Sequence, residues 1–187
     1  MAEDAPDRRF RLLVAGAGVL TLVCLAVGGL AGRTPSCATG SIVELELART
    51  EARAVELIGA CDEGGIKVLR DGLRVDDFGF VPLYIASVVV WCLLGARRLP
   101  WSSSVRRVLV LAAAGVIVFA GAFDLVENHY LGPVVDAAGA HPDIGPASAA
   151  SIVKWLLVLY AVPVSLIAAA RCIRAAFRSP GGALESA

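Results

Sequence analysis

The sequence predicts an all-α integral membrane protein: a four-helix transmembrane bundle with a short amphipathic extracytoplasmic cap between spans one and two. Three observations carry that prediction. The 187 residues are 57% hydrophobic and only 18% charged, with a mean hydropathy of +0.73. Soluble domains hold about 25% charged residues, so the apolar excess here matches lipid rather than a globular core. Four apolar stretches, at about 12–30, 78–96, 108–128 and 152–170, each approach the ~20 residues that cross a hydrocarbon core. The one long hydrophilic segment, 33–77, carries apolar stripes of its own, as a cap lying on a bundle would.

The first span follows a leader holding Arg8, Arg9 and Arg11. Leu12 to Leu30 contains no charge. A cleaved signal peptide is the competing reading, but the run is longer than the usual 7–15-residue signal core, which favours a retained anchor. Gly28 and Gly32 form a G-x-x-x-G that permits close helix approach. In the cap segment, Val43, Leu45 and Leu47 alternate with Glu44 and Glu46, a strand-like pattern. Thr50 is placed to cap a helix that ends near Cys61. Gly64-Gly65 breaks that helix, and Ile66, Leu69, Leu73 and Val75 suggest a second helix leading into span two. Pro82 lacks a backbone donor and must begin that span or kink it. Val108 to Phe123 is uncharged; Gly132 to Ala150 reads as a Gly/Ala/Pro loop. The fourth span carries Lys154 near its start and Pro163 inside. A tail from about 179 to 187 reads as disordered.

Arginines cluster in the leader, between spans two and three, and after span four. An even number of spans places all three clusters on one side, and the positive-inside rule makes it cytoplasmic. The expected location is therefore the cell membrane, multi-pass, with both termini cytoplasmic. Cys37 and Cys61 then share the oxidising side and form a disulfide candidate, which requires Cα atoms within about 7 Å.

The same topology gathers polar residues at one depth. Asp124, Glu127 and Asn128 are spaced i, i+3, i+4 and share a helix face. Asp76, Asp77 and Tyr84 open span two, while Ser151, Lys154 and Trp155 open span four. Lys154 is the only lysine in a span. It either snorkels to water or pairs with Asp124 or Glu127, and pairing offsets the cost of burying its charge. A carboxyl kept protonated in such a group can act as a general acid or proton carrier. The expected polar network is Asp77, Tyr84, Asp124, Glu127, Asn128, Lys154 and Trp155. Asp124, Glu127 and Lys154 are the catalytic candidates if chemistry occurs.

Other chemistries find little footing. Glu127, His129, His141 and Asp143 are metal-ligand types, but Glu127 and His129 diverge on a helix, so no metal is expected. Bis-histidine haem is disfavoured because neither histidine lies in an expected span. There is no G-x-S-x-G, P-loop or Rossmann glycine pattern, and no cofactor is expected. The zero net charge argues against a nucleic-acid partner.

Asp77-Phe-Gly-Phe-Val-Pro82-Leu-Tyr84, Asp124-Leu-Val-Glu127-Asn128 and Lys154-Trp155 resemble the D-x-x-F-x-P-x-Y, D-x-x-E-N and K-W motifs of a group of small prokaryotic four-span membrane proteins. The resemblance covers roughly Ile42 to Ala170 and implies that these polar residues act as one unit. Three functional expectations follow from the residues. The first is an accessory or assembly subunit, or a binder of a lipid or small ligand. The second is an integral-membrane enzyme acting on a lipid or isoprenoid through Asp124 and Glu127. The third is a proton-coupled carrier. Expected partners are membrane lipids, another membrane protein or a second copy of the chain.

Overall fold

The computed structural model describes residues 5–98 and 104–177; the expected tail at 179–187 lies outside them. Among the described residues every regular element is a helix, and there is no strand. Helix α1 spans Ala5–Ala31, α2 Ile42–Glu46, α3 Glu51–Ile58 and α4 Glu63–Val75. A π turn at Asp76–Phe80 joins α4 to α5, Val81–Arg98; α6 is Ser104–Asp136 and α7 Ile144–Phe177. Four runs are long and apolar enough to cross a membrane: Arg8–Ala31, Glu63–Arg97, Ser104–Asp136 and Ile144–Phe177. The chain is a multi-pass membrane protein built as a four-helix bundle.

The short helices are set by their caps. The Ser41 side chain accepts from the Glu44 N–H, and the Glu44 carboxylate accepts from the Ser41 N–H at 2.7 Å. This reciprocal capping box makes residues 42–46 a helix, not the strand their alternation suggested. The backbone N–H of Ser41 also holds the Glu44 carboxyl below its ordinary range. Thr50 caps α3 as expected, although the helix ends at Ile58, short of Cys61. The break between the two helices falls at residues 59–62, not at Gly64-Gly65. Asp62 accepts from the Gly65 N–H at 2.9 Å, so both glycines lie in the first turn of α4.

Span two is the C-terminal part of a longer continuous helix. Val81 N–H bonds to Asp76 O, five residues back, which widens the helix just before Pro82. Pro82 has no N–H to give to the carbonyl four residues earlier, and the wide turn accommodates that loss. The cap therefore grades into the bundle without a joint at residue 77.

Helices α6 and α7 also run further than the sequence pattern indicated. The 34 residues of α7 span about 51 Å at ~1.5 Å per residue, against a hydrocarbon core of ~30 Å. The excess is used on the cap side. Leu131, Val134 and Val135 of α6 and Ile144 and Ala147 of α7 form one core with Leu45, Leu57, Ile58 and Leu69 of the cap. That apolar partner explains why much of 132–150, read as a loop, is helical, with only a tight turn between Asp136 and Ile144. In this turn Gly139 has φ +91° and donates to Val134 O at 2.8 Å, closing the end of α6. A Cβ there would lie 2.6 Å from the Ala54 backbone, so the cap seats directly on the turn.

Two further links fasten the cap. Cys37 and Cys61 are joined by a disulfide with Cα atoms 5.0 Å apart. Arg70 of α4 donates twice to Asp136 Oδ1, at 2.8 and 2.6 Å. Helix α1 packs against α5 through a half-buried polar contact: Trp91 Nε1 donates to Thr21 Oγ1 at 3.0 Å, and Thr21 Oγ1 meets Ser87 Oγ at 2.8 Å. Such pairs hold helices together where lipid offers no hydrogen-bond partner. Of the two glycines in the G-x-x-x-G, Gly28 makes an interhelical approach, to the Phe80 ring; Gly32 has only its own helix nearby. Cys24, Cys92 and Cys172 are free and buried.

Candidate functional site

The polar residues converge where the cap meets the bundle. On α6, Asp124 and Glu127 turn inward one helical turn apart, with Asn128 beside them; all three are buried. Lys154 of α7 enters between them. Its Nζ lies 3.0 Å from Asp124 Oδ1, 2.7 Å from Glu127 Oε2 and 3.2 Å from Glu46 Oε2. The Glu127 approach is an ion pair whose angle falls outside hydrogen-bond alignment, and Glu127 Oε1 has no partner among the described residues. Lys154 is 7% exposed at its side chain, so it does not snorkel. An ammonium so placed depends on its carboxylates, because the side chains of Lys154, Asp124 and Glu127 are at most 7% exposed.

A second arm of the network reaches the π turn. Asn128 Nδ2 donates to Asp76 Oδ2 at 2.7 Å and Asp77 Oδ1 at 2.8 Å. Tyr84 of α5 donates to Asp124 Oδ2 at 3.0 Å, so both Asp124 oxygens are engaged. The Lys154 ammonium also sits 5.4 Å from the centroid of the Trp155 ring. All seven residues of the expected network thus meet within one region.

Two members escaped the expected network. Glu46 was hidden by the strand-like reading of 43–47; the Ser41-x-x-Glu44 signature is the signal that reveals a helix there. Asp76, at the start of span two, joins the network beside Asp77 although an ordinary helix turns adjacent residues about 100° apart. The π turn lets Asp76 and Asp77 share one amide.

The network borders a cavity of about 280 Å³. Glu46, Asp76, Asp124, Asn128 and Lys154 supply its polar wall. The remainder is apolar, including Phe80, Ile117, Val158 and Val162. Glu127 does not line it and is completely buried behind the lysine. Val43 and Trp155 stand between this cavity and an outer apolar groove formed with Leu47, Ile152, Leu156 and Leu159.

The histidines lie elsewhere. His129 sits within α6, contrary to the sequence reading, but is exposed and stacks edge-on against Tyr130 with ring centroids 5.3 Å apart. Because α6 continues past it, His129 and Glu127 point apart. His141 Nδ1 accepts from the Asp143 N–H in the turn. Among the described residues no three His, Cys, Asp or Glu side chains group in a way suited to a metal ion. The chain matches no protein-family model, no curated protein and no solved structure.

Proposed function

We propose that this protein is a non-enzymatic binder of a small membrane-resident amphiphile, held in the cavity beneath the cap. The observation that carries this reading is the cavity's two-sided lining, a compact polar wall facing an apolar one. Ligand sites combine a mostly apolar surface with a few placed polar groups, and a volume near 300 Å³ is at the small end of their range. The outer groove shares Val43 and Trp155 with the cavity, so movement of these two side chains would join the cavity to an apolar surface.

The acid/base reading has less support. Both Asp124 oxygens are already bonded, and Glu127 is screened from the cavity by Lys154. A proton-coupled carrier needs a path onward, yet beneath Asp124 the bundle is closed by apolar Val88, Ala113, Ile117 and Ala120. Orientation follows the arginine clusters: termini in the cytoplasm of a cell, cap and disulfide outside. A membrane-impermeant maleimide applied to reduced, intact cells should label Cys37 or Cys61; labelling only after lysis reverses the orientation.

Binding is tested by native mass spectrometry from a mild detergent. Wild-type protein should carry a retained small adduct, and Val158→Trp, which fills the apolar wall with a lipid-compatible side chain, should lose it while keeping the wild-type helical content by circular dichroism. Equal occupancy in a folded Val158→Trp variant would falsify the assignment of the cavity.

A further inference from the structure

We infer that the head group accepted by this cavity donates hydrogen bonds and carries no negative charge; the inference rests on the amphiphile-binding reading and narrows its ligand. The reason is a census of donors. Lys154 has three N–H groups, which face Glu46, Asp124 and Glu127. Asn128 has two, which go to Asp76 and Asp77. Tyr84 has one, which goes to Asp124. Each of these donor groups is already engaged by carboxylates of the network, through hydrogen bonds and, at Glu127, through an ion pair. The Trp155 indole N–H is unpartnered among the described residues, but its nitrogen is closed to solvent.

What the wall has left is acceptor capacity. An ionised carboxyl offers about four lone-pair sites, and Glu46 and Asp76 each show one hydrogen bond, through a single oxygen. Both line the cavity, together with Asp124 and the single ammonium of Lys154. A phosphate or carboxylate head would bring acceptors to acceptors and negative charge to an excess of carboxyls. A protonated amine or a hydroxylated head brings what the wall lacks.

Volume restricts the ligand further. About 280 Å³ accommodates roughly nine groups of water size at ~30 Å³ each. That is one compact head with the first carbons of a single tail. The rest of the tail would pass Val43 and Trp155 into the outer groove, whose Leu47, Ile152, Leu156 and Leu159 are apolar without exception.

The experiment uses the full chain in nanodiscs of a zwitterionic lipid, with four probes that share a dodecyl tail: dodecylamine, monododecyl glycerol ether, dodecyl phosphate and tridecanoate. Thermal midpoint and native-mass occupancy are read for each. The amine, the glycerol ether or both should raise the midpoint and occupy the protein, and the two anions should do neither. An amine preference over the ether assigns a cationic head; the reverse assigns a hydroxylated one. Asp76→Asn keeps an oxygen for Asn128 while removing a charge, and should weaken the amine at least fivefold with the ether unchanged. Tighter binding of either anion, or an amine affinity unaltered by Asp76→Asn where the amine binds, overturns the head-group inference and leaves amphiphile binding standing. Absence of any shift or occupancy with all four probes overturns the binding reading itself.

Discussion

Replacing Lys154 by Met tests whether the network is a single electrostatic unit. The side chains have similar lengths, so the substitution removes the charge with little change in packing. Three carboxyls within 3.2 Å of Nζ would lose their cation, and two of them, Asp124 and Glu127, are at most 6% exposed at the side chain. Removing one partner of a buried ion pair costs about 3–5 kcal/mol, because the remaining charge stays uncompensated. In a chain of this size each kcal/mol moves the midpoint by about 2–4 °C, so the variant should melt roughly 6–20 °C lower. The assay is thermal unfolding in one detergent, followed by tryptophan fluorescence. The triple variant Lys154→Met, Asp124→Asn, Glu127→Gln removes the orphaned charges as well and should recover most of the loss. A midpoint within 2 °C of wild type for Lys154→Met alone, or a triple variant less stable than the single one, would refute the argument.

Further outcomes are expected elsewhere. The Cys37→Ser, Cys61→Ser pair opens a loop with a sequence separation of 24, worth about 3.5 kcal/mol by loop entropy, and should lower the thermal midpoint without changing the helical content seen by circular dichroism. Gly28→Leu places a side chain where even a Cβ would lie 2.7 Å from the Phe80 ring; overpacking should cost about 1–3 kcal/mol, and the retained adduct should disappear because both residues line the cavity. Thr21→Val deprives the Trp91 indole of its acceptor and should cost about 1–2 kcal/mol in detergent unfolding. A Thr21→Ser variant, which keeps the oxygen, should behave as wild type.

Span number was legible because lipid imposes a simple rule: about twenty apolar residues per crossing. The core of the site was legible for a related reason. Asp124, Glu127, Asn128 and Lys154 stand out against apolar neighbours, and their helical spacing fixes which of them face together. Residues whose placement depends on tertiary partners were harder to read. The Gly/Ala/Pro content of 132–150 resembles a loop in isolation, and only the cap core beside Leu131, Val134 and Val135 makes much of it helical. Glu46 lies in a helix of five residues, too short for periodicity to declare itself, so its capping residues Ser41 and Glu44 are the more informative signal. Asp76 depends on a widened turn, for which Pro82 is the sequence clue.

The reach of Lys154 has a consequence for biosynthesis. Its bond to Asp124 bridges 30 residues, whereas its bond to Glu46 bridges 108. The α6–α7 hairpin can therefore neutralise its own charge as a pair while entering the bilayer, which makes two otherwise costly segments acceptable to the insertion machinery. Glu46 has been synthesised long before, yet has no cation to meet until the last span arrives. Closure of α2 over the bundle thus reports that all four crossings are in place. A chain truncated before α7 should leave the segment around Glu46 open to protease from the cap side, whereas the full chain should protect it.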